Sequence, residues 1–415
     1  MKILCTADLH LGKTIALPND SSIDETKYSA DKTWYNIVDK LIEDEYDLLL
    51  VAGDILDKSN SPFKSRELLF KGLDKIKKYN VSDKKIEVVF IAGNHDGDRL
   101  GKIMSQTEYD FVHLIGLENK WERCEIKGLP IWGWSFDCDE YKKDPFAHKS
   151  VKQINDDKYI LMVHGDYSAY DGIYAPMANS ISSDIVKNSI ITLAGHIHKK
   201  DIKGNLYNLG SPQAFDFGEK GEHGVWTIEV DDKYNLLSEP IFEPMSSVYY
   251  DECKIDVFDY ETGELLTNII SNQLLSKKGS GEISYFRLIF SGRLSKDKYR
   301  AFCEEIQSED FQETSFIRDD IYIEPQKCIN NTLADYDLEE MSKQDNSVGI
   351  VAKMILAIDK GEFQKDYPDF YEKIKTESEA FVSDIVKCIG FESEEDLLYR
   401  IKNNLIKILD GRSKK

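Results

Sequence analysis

Three things are missing from this sequence. It has no Cys-x-x-Cys pair: seven cysteines (Cys5, Cys124, Cys138, Cys253, Cys303, Cys328, Cys388) are scattered and odd in number. That argues against a disulfide framework and a thiolate zinc site, and fits a reducing cytosol. It has no long apolar run either. The longest, residues 48–52 and 88–92, are strand-sized and far short of the ~20 residues that span a bilayer. The opening MKILCTADLH reaches Asp8 too soon for a signal peptide. The expectation is a cytoplasmic protein with no membrane segment. Finally, positive charge is in deficit: 53 Lys+Arg face 75 Asp+Glu, a net −22. Residues 246–415, with 34 acids and 23 bases, carry half of it. A protein that grips phosphate backbones with Lys and Arg alone should look different. Action on nucleic acid would need metal cations, a local basic patch or a partner.

What is present is a soluble globular composition, 41% hydrophobic and 31% charged over 415 residues, enough for two or three domains with a full core in the larger. The first 245 residues repeat one local pattern five times, an apolar strand followed at once by polar residues. The runs 2–7, 48–52, 88–92, 160–163 and 190–194 precede Asp8-Leu9-His10, Gly53-Asp54, Gly93-Asn94-His95-Asp96, His164-Gly165-Asp166 and Gly195-His196-Ile197-His198. Short continuous apolar runs bounded by turn signals fit strands covered on both faces. Between them, Trp34, Ile37, Val38, Leu41 and Ile42 form a helical stripe, continued by Leu69, Leu73 and Ile76 in a second. Strands alternating with helices mean an α/β layered core. Residues 129–136, 205–209 and 224–230 read as further strands without intervening helices, so a second sheet is expected beside the first.

The two prolines of 239–247, Pro240 and Pro244, mark the best boundary. Beyond it, strands at 254–258, 284–290 and 320–323 and helical stretches at 265–275 and 296–306 predict a small α+β domain over 246–330. Residues 331–415 read as helical, with one stripe at Val348, Val351, Ile355 and Leu356 and another at Leu397, Ile401, Leu405 and Ile408. The basic end (Lys402, Lys407, Arg412, Lys414, Lys415) reads as a solvated tail, and Trp132 and Trp134 as core.

Five of the eight histidines, His10, His95, His164, His196 and His198, follow the five strands directly, among Asp8, Asp54, Asn94 and Asp96. Loops at the carboxyl ends of strands converge in α/β folds. Imidazole, carboxylate and amide oxygen make a mixed N/O set suited to Mn²⁺, Fe²⁺ or Zn²⁺. His113, His148 and His223 lie outside every motif and read as surface or packing residues. Ser211 reads as a turn residue, with no base placed beside it.

In order and residue type these five motifs resemble the calcineurin-like metallophosphoesterases. Thr6–Gly12, Ala52–Asp57 and Gly210-Ser211-Pro212-Gln213 with Asp216-Phe217-Gly218-Glu219 further resemble the bacterial SbcD type of DNA double-strand-break repair nuclease. The resemblance covers about residues 1–230. It implies a four-layer α/β/β/α sandwich, then a capping domain and a helical end. It also implies two divalent metal ions, Mn²⁺ foremost: one on Asp8, His10 and His198, the other on Asn94, His164 and His196, with Asp54 bridging. Two M²⁺ ions against two anionic ligands would leave a site near +2, attractive to phosphate. His95 would stabilise the transition state and protonate the leaving oxygen, with Asp96 orienting its ring and keeping it protonated. Asp57 stands where archaeal and eukaryotic relatives carry histidine, and is left outside the catalytic set. The family's partners would be DNA, an SMC-related ATPase of the SbcC class docked by the helical end, and a second copy in a homodimer. The same centre also serves phosphomonoesters and nucleotides, so a small-molecule phosphatase or phosphodiesterase is the second reading. A catalytically silent scaffold is disfavoured because every ligand position is filled.

Overall fold

A computed structural model of the chain describes residues 1–18, 23–24, 27–58, 62–81, 84–106, 109–118, 120–136, 145–146, 148–165, 184–335, 338–372, 398, 401–402 and 405–406. The chain divides into two compact units. The first comprises Met1–Glu252, Lys277–Phe286 and Arg318–Ile323; the second comprises Cys253–Ser276, Arg287–Ile317 and Glu324–Lys415.

In the first unit the apolar runs form β1 (Lys2–Thr6), β2 (Leu48–Ala52) and β3 (Glu87–Ile91), separated by helices α1 (Ala30–Glu43) and α2 (Pro62–Tyr79). After α3 (Gly97–Met104) come β4 (Val112–Leu114), β5 (Glu122–Ile126), β6 (Leu129–Gly133) and β7 (Ile160–His164). Helix α4 (Asp184–Asn188), β8 (Ile191–Gly195), β9 (Asp201–Lys203), β10 (Leu206–Asn208), β11 (Gly224–Glu229) and β12 (Ile241–Pro244) follow. They make two six-stranded sheets, ordered β12-β11-β1-β2-β3-β4 and β5-β6-β7-β8-β10-β9. β1, β2 and β3 run parallel, as do β7 and β8.

Because side chains alternate along a strand, each buried strand feeds two cores. Leu4, Leu49, Val51, Val88 and Phe90 pack against Trp34, Ile37, Leu41, Leu69, Leu73 and Ile76 of α1 and α2. Their neighbours Ile3, Cys5, Leu48, Leu50, Val89 and Ile91 meet Ile131, Ile160, Met162, Ile191 and Leu193 of the second sheet. The far face of that sheet packs Trp132, Trp134, Leu161, Val163 and Leu206 with Trp121, Phe146 and Val186. The four α/β/β/α layers expected from the sequence are therefore present, with both tryptophans in the core. Within this unit residues 284–286 also pair in parallel with 321–323.

The second unit has its own core, where Phe302 of the helix Lys296–Gln307 stacks edge-on against Tyr260 and Phe290. Residues 289–295 pair in parallel with Ile329–Asp335. The chain past Asn330 is thus first a strand, and helical only from Leu338. The sequence concealed it because Ile329, Asn330, Asn331 and Thr332 lack the apolar run that marks the other strands. The helix Ser347–Asp359 brings Ile355 against Ile401 and Leu405, joining the two stripes in one cluster. Leu397, Ile408, Lys407, Arg412, Lys414 and Lys415 lie outside the described residues, as do Cys138, Cys388 and Asp166. Among the described residues no helix is long and apolar enough to cross a membrane.

Candidate metal centre

The parallel strands β1, β2, β3, β7 and β8 end on one side, and the loops leaving them carry Asp8, His10, Asp54, Asn94, His95, Asp96, His164, His196 and His198. The loops after β1 and β2 are zipped together by main-chain bonds from Asp8 N to Gly53 O, His10 N to Asp54 O and Leu11 N to Ile55 O, each 2.9 Å. Asp8, His10 and Asp54 hold left-handed backbone (φ 53°, 44° and 52°), as does His196 (φ 92°). Such conformations are uncommon outside glycine and cluster at functional sites. Gly93 is required here, because a Cβ would collide with the Asp54 carboxylate and amide.

Three clusters of donors result among the described residues: Asp8, His10 and His198; Asp54, His164 and His196; and His10 again with Asp57 and His95. His10 Nε2 and His198 Nε2 face each other at 3.0 Å. Asn94 Oδ1 lies 3.0 Å from both His164 Nε2 and His196 Nδ1. Asp54 Oδ2 stands 3.4 Å from His164 Nε2 and 3.8 Å from His10 Nε2, between the first two clusters. Ligands about 2.1 Å from one cation sit roughly 3.0–3.4 Å from each other, so these spacings fit coordinating atoms with room for an ion among them. Donor set and separations both fit two divalent cations.

The carboxylates are kept in place by amides. Asp8 accepts from His196 N through both oxygens, at 3.0 Å, and Asp54 Oδ1 accepts from His95 N at 2.7 Å. Asp8, His10, Asp54, Asn94 and His164 are buried, while His95, His196 and His198 are half-exposed and form the face open to a substrate.

Burial depresses the His164 pKa, but the Asp54 carboxylate outweighs it and lifts the ring to about 9. Its two nitrogens face acceptors, Ala52 O at 2.9 Å and Asn94 Oδ1 at 3.0 Å, so without metal the ring carries a second proton. Burial would raise Asp54, yet His164 holds it well below the usual carboxylate range. His198 is likewise lowered by burial and raised on balance by Glu219, whose Oε1 accepts from Nδ1 at 2.5 Å.

His95 and Asp96 depart from what the resemblance implied for their side chains. Asp96 is fully buried, and its carboxylate accepts from the amides of Gly93 and Leu56 at 2.8 Å and Ile55 at 3.2 Å. Burial, with the Asp54 charge, raises it to about 6. It ties the loops after β2 and β3 together. The carboxylate that faces His95 Nδ1 is Asp57, at 3.9 Å. Burial drives His95 down to about 4, so its ring is neutral at pH 7 and offers a single N–H.

Asp57 and Glu219 also alter the charge. Both stand beside histidines of the candidate centre, Asp57 Oδ2 being 3.5 Å from His10 Nδ1 and Glu219 Oε1 2.5 Å from His198 Nδ1. With the buried Asp96, mostly ionised at pH 7, five carboxylates would oppose two M²⁺ ions and bring the site near neutral, not the +2 expected from Asp8 and Asp54 alone. Lys13, whose Nζ lies 4.0 Å from the Phe215 ring beside His10 and His198, and Lys58, whose charge reaches His95, supply positive charge at the edge. The loop-spanning Glu219 was missed because its meeting with His198, 21 residues away, has no local spacing. Outside the centre, His113 pairs with Glu87 at 2.9 Å and His148 caps the short helix Lys149–Gln153. His223 is buried with Nδ1 2.9 Å from Ser211 Oγ. A base thus does stand beside Ser211, but the hydroxyl is buried at 1% exposure and closed to a substrate.

Comparison with known proteins places the chain in a family. The family model of the calcineurin-like phosphoesterases matches residues 1–225. The metallophosphoesterase YhaO of Bacillus subtilis is 23% identical over 337 residues, covering 75% of this chain and 78% of that one. The DNA double-strand break repair protein Mre11 of Nanoarchaeum equitans is 26% identical over 263 residues, 58% of this chain and 67% of that one. One component of the SbcCD nuclease of Bacillus subtilis, its SbcD polypeptide, is 37% identical over 119 residues, 28% and 27% of the two chains. Among solved structures, a dimetal phosphatase from Danio rerio is 10% identical with a TM-score of 0.39, covering 59% of this chain and 99% of its own. The chain belongs to the calcineurin-like phosphoesterase family.

Proposed function

From that membership we infer a phosphodiester hydrolase with two divalent cations, Mn²⁺ foremost, that acts on DNA as an exo- and endonuclease. The observation that carries the reading is the convergence of Asp8, His10, Asp54, Asn94, His164, His196 and His198, with Asp54 between the two clusters. Bound there, two cations supply a nucleophile at neutral pH and charge neutralisation for the phosphoryl group. The protein does the rest. Asp8 and Asp54, fixed by amides of the loops they serve, hold the ligand set; His95, on the open face, presents its N–H to the leaving oxygen. Asp96 acts as a positioning residue by holding the His95 loop on the β2 loop.

DNA as substrate is supported by the similarity to the break-repair protein Mre11 and the SbcCD nuclease and by Lys13 and Lys58 at the rim. The same resemblance supports an SMC-related ATPase of the SbcC class as partner and a homodimer as working state. It also supports residues 246–330 as a cap selecting DNA shape and 331–415 as the docking region. The near-neutral site and the net −22 favour the second reading, a phosphatase or phosphodiesterase of small molecules.

End-labelled duplex and single-stranded DNA, incubated with Mn²⁺, Mg²⁺ or chelator beside a generic phosphodiester, separates them. Mn²⁺-dependent cutting of both, reduced about 10²–10⁴-fold in His95→Asn with metal retained, supports the nuclease. Ester turnover with DNA left intact, even with the ATPase added, overturns it in favour of the small-molecule enzyme.

A further inference from the structure

The two metal positions are backed by different chemistry. Behind His198, Nδ1 donates to Glu219 Oε1 at 2.5 Å, while Glu219 Oε2 accepts from Phe215 N at 3.0 Å, so this carboxylate is itself held in place. Behind His10, Nδ1 faces Asp57 Oδ2 at 3.5 Å. The same oxygen lies 3.9 Å from Nδ1 of His95, and the rings of His10 and His95 meet edge to face with centroids 4.7 Å apart. Both Nδ1 atoms are buried without a hydrogen-bond partner among the described residues. A small swing of the His10 ring brings its N–H onto Oδ2, while His95, whose single N–H serves the open face, is held to this pair by the ring contact. At the other position His164 Nδ1 rests on the neutral main-chain carbonyl of Ala52 at 2.9 Å, with the nearest carboxylate oxygen, Asp8 Oδ1, further off at 3.9 Å.

A carboxylate behind a ligating imidazole fixes its tautomer and orientation and strengthens the nitrogen that binds metal; a neutral carbonyl does so less. His10, Asp57 and His95 also approach closely enough to suggest a third cation. That would require His10 to bind two ions as an imidazolate, so a hydrogen-bonded brace is the economical account. We propose that Asp57 and Glu219 are positioning residues that make the Asp8–His10–His198 position the tighter of two unequal divalent-cation sites, and that Asp57 couples His95 to the filling of that position. The inference rests on the two-metal reading above and assigns it an order of loading.

The test uses the full chain, stripped of metal and titrated with Mn²⁺ by calorimetry and electron paramagnetic resonance. Wild type should show two classes separated by about tenfold or more. Asp57→Asn and Glu219→Gln should each weaken the tighter class by about 10–100-fold and leave the weaker class unchanged. The absorption spectrum of one equivalent of Co²⁺ should shift in both variants. Two indistinguishable classes in wild type, variants that bind as wild type, or variants that lose both classes alike would each overturn the proposal. No Mn²⁺ binding at all would instead defeat the two-metal reading, and tight Mn²⁺ without DNA cleavage would defeat only the nuclease assignment.

Discussion

The two compact units bury polar groups in opposite ways. The first takes Asp8, Asp54, Asp57 and Asp96 out of water, together with His10, Asn94 and His164, at one end of its sheets. The second, among its described residues, buries only Ser271 and Thr332 beside an aromatic core of Tyr260, Phe290, Phe302 and Phe311. Burying a charge is costly unless a counter-charge meets it. The first unit therefore concentrates buried charge that the proposed cations would offset; the second rests mainly on its apolar core, with polar contacts such as Tyr260–Glu305 at its margin.

The largest effect expected to sharpen this contrast is on hydrolysis. Asp54→Asn removes the carboxylate shared by both clusters and should lower phosphodiester turnover by at least ~10²–10³-fold, with unchanged far-ultraviolet circular dichroism. Full activity in that variant would break the comparison. Phe302→Ala should do the reverse, costing about 3–5 kcal/mol of stability while ester turnover persists below the melting transition; chemical denaturation followed by activity reads both.

A third test uses protons. His164 titrates near 9 in the metal-free protein and near 6.5 when unfolded. The folded state thus binds more protons between those values, and the stability of the metal-free protein should fall as pH rises from about 6.5 to about 9. A cation must displace the His164 proton, so Mn²⁺ affinity should rise up to about tenfold per pH unit below 9. Calorimetry in buffers of different ionisation enthalpy should find protons released on binding at pH 7; none would sink the assignment. The smallest effects test the frame alone. Ser29→Ala and Asn346→Ala each delete a helix cap, one per unit, whose side chains accept from Lys32 N and Gly349 N. Each should cost about 1 kcal/mol and leave Mn²⁺ affinity unchanged.

How much of this was legible in the sequence follows the same division. The buried strands announced themselves because Leu48–Ala52 and its counterparts are short, mostly apolar runs, and the candidate metal ligands lie just after them. Glu219 and Asp57 were legible only as residue types. One meets its histidine across a loop, and the other lies beside ring nitrogens whose direction no spacing reveals. The order of the sheets was hidden too, since β11 pairs antiparallel with β1 across more than 200 residues. In the second unit, the strand Ile329–Asp335 carries too many polar residues to stand out.

The left-handed backbone at Asp8, His10, Asp54 and His196 has a bearing on the life of the protein in a cell. Such positions cost on the order of 1 kcal/mol each, less for aspartate than for histidine, a sizeable share of the net stability of a typical domain, about 5–15 kcal/mol. A ligand that binds only the folded form adds stability in proportion to the logarithm of its free concentration. If the proposed cations bind only the folded form, their supply would govern how much of the chain survives proteolysis as well as how fast each copy works. Metal starvation should deplete the protein itself, and a search for its physiological role belongs under conditions where that supply changes.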